Sequence, residues 1–101
     1  MLVVVVLTIR EGAIDEFRRY ERSAAEIMAR YGGAIEHAYE LPGDRELHVV
    51  RFLDDDAFAA YRADPELAGL RELRDSVIAG TELWPANELP AYAEITSRRD
   101  R

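Results

Sequence analysis

Residues 47–80, LHVVRFLDDDAFAAYRADPELAGLRELRDSVIAG, constrain the fold of this chain more than any other stretch. A short apolar strand runs directly into a helix that is interrupted at Asp64-Pro65 and closed at Gly80. Pro fits the first helical turn and the Asp before it offers a capping carboxylate, so the helix bends or restarts there. Upstream, residues 2–9, LVVVVLTI, predict a buried strand, because consecutive Val residues favour a pleat over a helix. From about Ala13 to Tyr31, the apolar residues Ile14, Phe17, Tyr20, Ala24, Ile27, Met28 and Tyr31 recur at three- and four-residue steps. That spacing predicts an amphipathic helix with one core-facing stripe, closed by Gly32-Gly33. Strands at 34–41 and 46–53 flank a Pro42-Gly43-Asp44 turn, and TELW at 81–84 forms a short last strand.

The resulting βαββαβ order predicts an α+β, ferredoxin-like domain over residues 1–84: a four-stranded antiparallel sheet with both helices on one face. Residues 85–101 form a C-terminal tail in which Ala91–Ile95 suits a short extra strand. A chain of 101 residues holds one domain. A sheet covered on one side should alternate apolar and polar residues. The first strand does not: Val3, Val5 and Leu7 point one way, while Leu2, Val4 and Val6 point the other. In the third strand Leu47, Val49 and Leu53 oppose Val50 and Phe52. The helices cover one face only, and soluble monomers rarely expose an apolar patch of more than a few hundred Å². The expected cover is a second copy, packed sheet against sheet as a homodimer.

Several functions are disfavoured. A formal net charge of −7 repels a phosphate backbone, so no nucleic-acid partner is expected. The absence of Cys rules out thiolate metal sites and a Cys nucleophile, and the absence of Lys rules out Schiff-base chemistry. The apolar run Leu2–Leu7 is too short to span a membrane, and a cytoplasmic location is the default. No phosphate-binding loop, dinucleotide fingerprint or G-x-S-x-G elbow is present.

The strand–helix order, the Tyr31-Gly32-Gly33 helix end and the run VRF…AFAAYRADPEL…LRELR together resemble the dimeric α+β barrel superfamily over about residues 2–84. Its members include antibiotic-biosynthesis monooxygenases and muconolactone isomerases, and the run itself is most similar to an uncharacterised subfamily. The resemblance implies a homodimer and a small-ligand pocket between sheet and helices. Where the chemistry is oxidative it implies a cofactor-free monooxygenation of an aromatic or polyketide-like compound, and otherwise isomerase-like acid–base catalysis. The cofactor-free monooxygenases of the superfamily place Asn, Tyr, Trp and Arg around an aromatic substrate. Here only Trp84 matches by residue type, and Asn87 falls beyond the last strand. Haem degradation in the superfamily uses a His on the second helix, which this chain lacks.

Both His residues lie on the central hairpin. Closure around residues 42–45 would set Tyr39 opposite His48 and His37 opposite Val50, bringing His37, Tyr39 and His48 to one face as candidate catalytic groups. An imidazole there can accept a proton near neutral pH, and a tyrosine hydroxyl can orient a carbonyl or phenol. Phe17, Tyr61 and Trp84 are the candidate ligand-binding aromatics. Only Glu46 joins the histidines as an acid on that face, so no metal site and no cofactor is expected. Arg51 points to the opposite face, beside Glu36 or Glu40, where an Arg–Glu pair would set register. Arg71 and Arg74 on the last helix would serve an anionic ligand if they line the pocket mouth. Two readings stay open: a dimer that binds or transforms a small hydrophobic or aromatic metabolite, and a structural or regulatory dimer whose cavity its own side chains fill. Whether the protein is an enzyme is not decided at this level.

Overall fold

The structure, a computed structural model, describes residues 1–99. The elements follow the order β1 (Leu2–Ile9), α1 (Ile14–Arg30), β2 (Ala34–Leu41), β3 (Arg45–Arg51), α2 (Asp55–Arg62), α3 (Pro65–Ala68), α4 (Arg71–Val77), β4 (Ile78–Ala86) and α5 (Pro90–Arg99). The four strands form one antiparallel sheet in the order β2-β3-β1-β4, the ferredoxin-like arrangement expected from the sequence. Val3, Val5 and Leu7 of β1 stand beside Val50, His48 and Glu46 of β3 on the face that α1 and the α2–α4 segment cover.

Each helix start has a local cause. Asp54 caps α2 by accepting a hydrogen bond from the Ala57 amide at 2.8 Å. Asp64 caps α3 by accepting from the Glu66 and Leu67 amides, with Pro65 in the first turn, so the second helical region restarts where Asp64-Pro65 requires it. The Tyr31 hydroxyl donates to the other oxygen of Asp64 at 2.5 Å and ties the end of α1 to this cap. That bond and the two amides hold the Asp64 carboxyl below the usual carboxylate range.

Several boundaries differ from the sequence expectation, beginning with β3, which ends at Arg51 and leaves Leu53 exposed beyond it. The last helix stops at Val77, and Ile78 enters β4 directly in an extended conformation. Gly80 is therefore a strand residue paired with Thr8, not a helix cap. β4 also runs to Ala86, past Pro85, which an edge strand tolerates because its outer side needs no amide donor. Pro90–Arg99 is helical, so the short strand considered for Ala91–Ile95 does not form; the Thr96 hydroxyl donates to the Tyr92 carbonyl at 2.9 Å within that helix.

The core divides into two clusters joined by Val5. One gathers Leu7, Ile9, Phe17, Tyr20, Ala24, Val77 and Ile78; the other gathers Met28, Val50 and Phe52 with Phe58 and Tyr61 against them. Gly32 ends α1 with φ +73°, and Gly33 then lies flat against the second cluster. A Cβ at Gly33 would stand 2.5 Å from Phe52 Cε1 and 2.6 Å from Met28 Cγ. Gly33→Ala is expected to destabilise by about 1–3 kcal/mol through overpacking of the buried Phe52 ring, measured by urea unfolding. An unchanged midpoint would show that the ring yields freely.

Candidate functional site

The side chains that meet beneath the sheet come from α1 and β3. His48 is 6% exposed, Glu46 is 6% exposed, and both point from β3 towards the helices. The His48 Nε2–H donates to Glu46 Oε1 at 2.9 Å, and Glu46 Oε2 meets the Arg18 guanidinium of α1 at 2.5 Å. On the other side of the ring, His48 Nδ1 lies 3.5 Å from Glu21 Oε2, also on α1. Arg18, Glu46, His48 and Glu21 thus form one continuous chain of charged and polar groups. Burial raises the affinity of the Glu21 carboxyl for its proton, and Glu46 adds to this, while His48 and Arg18 oppose it. His48 Nδ1 and the Glu21 carboxyl thus place two proton-carrying groups 3.5 Å apart, the kind of pair that general acid–base work uses.

Glu21 and His48 open onto a cavity of about 650 Å³ between the sheet and the helices. Its walls come from both core clusters, including Val3, Val5, Met28, Val50 and Phe52, with Phe58 and Tyr61 from α2. Phe52 packs against Phe58 and Tyr61 with ring centroids 5.3 and 5.4 Å away, giving one wall an aromatic surface. Burial raises the Tyr61 hydroxyl above its ordinary value, so it stays a proton donor. The volume lies within the range of small-molecule sites, and the lining joins these apolar and aromatic side chains to the ionisable Glu21, His48, Arg62, Arg71, Arg74 and Asp75.

The structure separates the residues that the sequence had grouped. His48 and Tyr61 line the cavity. His37 and Tyr39 do not: they pair with Val49 and Leu47, on the opposite face of the sheet, and both are exposed. The turn explains this, and a bulge further along the strand sets Ile35 apart from them. The turn leaves Leu41 paired with Arg45, with Gly43 at φ +81° and Asp44 at φ +55°, one residue off the pairing that would join Tyr39 to His48. A bulge between Ile35 and His37 then lets Ile35 return to the helix-covered side. Ala38 takes the position opposite His48. Phe17 is fully buried in the first core cluster and does not reach the cavity. Trp84 pairs with Val4 on the uncovered face and is 61% exposed. Among the described residues no group of three or more His, Cys, Asp or Glu side chains is arranged to hold a metal ion.

Sequence reasoning missed Glu21, although a signal existed. Position 21 lies seven residues after Ile14 and seven before Met28, inside the apolar stripe of α1, where an acid has no place unless it is paired. Arg51 behaves as expected, with its Nε donating to Glu36 Oε2 at 3.0 Å and a terminal nitrogen to Glu88 Oε1 at 2.5 Å.

Fold and site together define a small ferredoxin-like α+β protein with ionisable side chains gathered at the wall of a cavity between sheet and helices, and its fold is similar to that of several solved structures. A Bacteriodes thetaiotaomicron protein provisionally assigned as an antibiotic biosynthesis monooxygenase superposes with TM-score 0.74 and 18% identity over 88% of this chain and 89% of its own. SnoaB, a cofactor-independent oxygenase from Streptomyces nogalater, superposes with TM-score 0.71 and 20% identity over 87% and 93%. An uncharacterised NIPSNAP domain protein from Burkholderia xenovorans does so with TM-score 0.64 and 20% identity over 89% and 99%. No family model and no curated protein matches the sequence. At these identities the likeness establishes the fold and leaves the activity to the site. Among the described residues no helix is long and apolar enough to cross a membrane.

Proposed function

We propose that this protein is a homodimer that binds a small aromatic, polyketide-like metabolite in the cavity beneath its sheet. There His48 and Glu21 move a proton on the ligand without a cofactor. One observation carries this reading: a buried imidazole set between two carboxyl groups at the wall of a cavity of about 650 Å³ that also presents aliphatic and aromatic side chains. A purely structural core gains nothing from such a cluster, because burying charged groups costs more than burying apolar ones of the same volume. The cavity volume also favours a ligand-binding role over a self-filled one. In this reading Glu46 and Arg18 orient the imidazole, Glu21 and His48 accept and return the proton, and Tyr61 donates to the ligand. The work on the substrate is removal of a proton from a phenol, or from a carbon next to a carbonyl, to leave a phenolate or enolate.

The uncovered sheet face supports the dimer. Leu2, Val4, Val6, Leu47 and Val49 lie there in register, all only partly buried, with Trp84 and Tyr39 beside them. His37, Tyr39 and Trp84, set aside from the cavity by the register, belong to this seam. Packing a second sheet on that face gives aromatic side chains the low-solvent setting they favour at interfaces.

Titration calorimetry with 1-naphthol tests the cavity. Saturable binding is expected for the wild type, and Ala25→Phe, which pushes a ring into the cavity from α1, should weaken it about tenfold or more. Absence of saturable heat, or equal affinity in the two proteins, would remove the cavity as the binding site.

A further inference from the structure

We propose that the ligand is a carboxylic acid, an aromatic or polycyclic one, anchored by Arg71 and Arg74 of α4. The inference rests on the ligand-binding reading of the cavity and names the chemical class that the cavity selects.

Three guanidinium groups, Arg62, Arg71 and Arg74, line this cavity. Arg71 and Arg74 lie three residues apart, on one face of α4, where two like charges repel each other. Arg74 donates to the Thr81 hydroxyl at 2.6 Å and has Asp75 at 3.9 Å. Arg71 has no carboxylate within ion-pair distance among the described residues. Arg62 lies over the Phe58 ring, 5.5 Å from its centroid, and pairs with no carboxylate among the described residues either. Three guanidinium groups meet at one cavity, and an anion entering it would relieve their repulsion.

The acids that face the same space do not cancel this attraction. Asp75 is exposed and sits beside Arg74. Glu21 is the only other carboxyl in the lining, and its proton is favoured by burial. Tyr20 and Tyr61 keep their protons for the same reason, and Tyr20 reaches the Arg74 guanidinium. A planar carboxylate matches the fork of a guanidinium in a way that a hydroxyl or ester does not. The ligand's rings would then rest on Phe52, Phe58 and Tyr61, while the acid–base pair Glu21–His48 on the α1 and sheet side meets its ionisable hydrogen.

Three probes of one shape separate the possibilities by calorimetry at neutral pH: 1-hydroxy-2-naphthoate, its methyl ester and 1-naphthol. The acid should bind on the order of tenfold tighter than either neutral probe, as charge-assisted pairing to Arg predicts. Arg71→Ala, at an exposed position on the cavity wall, should remove most of that advantage and weaken the acid far more than 1-naphthol. If acid and ester bind alike, or if Arg71→Ala weakens all three probes equally, the carboxylate anchor is wrong and the cavity reading survives. If none of the three binds, both fall. The comparison of acid with ester in the wild type stands even should the variant fail to fold.

Discussion

Val4→Asp is expected to convert the protein from dimer to monomer at micromolar concentration. Val4 lies mid-sheet on the uncovered face, paired with Val49 on one side and Trp84 on the other. A two-fold axis through this face would place both copies of the new aspartate in one apolar seam. Burying an unpaired carboxylate there costs several kcal/mol for each copy, so the dissociation constant should rise about a thousandfold or more. The protomer should keep its fold, because the opposite face of β1, with Val3 and Leu7, remains packed against the helices. Analytical ultracentrifugation with circular dichroism reads both properties. A variant that stays dimeric would move the seam to another surface, and a monomeric wild type would end the dimer proposal.

His48→Ala should cost about 3 kcal/mol of stability and also abolish proton transfer on a bound substrate. The imidazole stands between Glu46 and Glu21, and its removal leaves two largely buried carboxyl groups facing a void. Leaving the buried Glu46 carboxyl without this hydrogen bond costs about 1–3 kcal/mol, to which the void left by the ring adds, while Arg18 still pairs with Glu46. Glu21→Gln in the same background should return part of the loss, since the neutral amide needs no counter-charge. The single variant Glu21→Gln has its own signature. Burial favours the protonated Glu21 in the folded chain, so the native state keeps a proton that the unfolded chain releases above its ordinary value of 4.5. Glu21 therefore lowers stability progressively as the pH rises from that value through the raised folded one. Urea unfolding from pH 4 to 8 should show Glu21→Gln gaining on the wild type across that window. A pH-independent difference would mean that Glu21 is as well solvated as any surface acid, and wild-type stability with unaltered proton transfer in His48→Ala would remove His48 from the site.

The strand and helix order was legible in the residues because each element carries its own signal. The Val run, the stripe from Ile14 to Met28 and the Asp64-Pro65 restart depend on neighbours within one turn or one pleat. The apolar character of both faces of β1 was equally local, and it pointed to a missing partner without any tertiary information. The Arg51–Glu36 pair was legible too, since residues flanking the strands of a hairpin are held near one another.

The composition of the site was another matter. Side chains on a strand alternate with a period of two, so a shift of one residue moves a whole set to the other face. The Pro42-Gly43-Asp44 turn imposes such a shift and carried His37 and Tyr39 away from His48, while the bulge after Ile35 imposes a second that returns Ile35 to the covered side. No pattern along the chain announces where a bulge falls. Glu21, which faces His48, and the arginines of α4, which line the same cavity, arrive from elements far away in sequence, and their arrival depends on how each helix is rotated on the sheet. The sequence by itself determined the elements, their order and the need to cover a second apolar face, all consequences of local periodicity and burial. Only the tertiary structure decided which ionisable groups share the cavity, because that depends on strand register and helix rotation, which are settled by packing between distant segments.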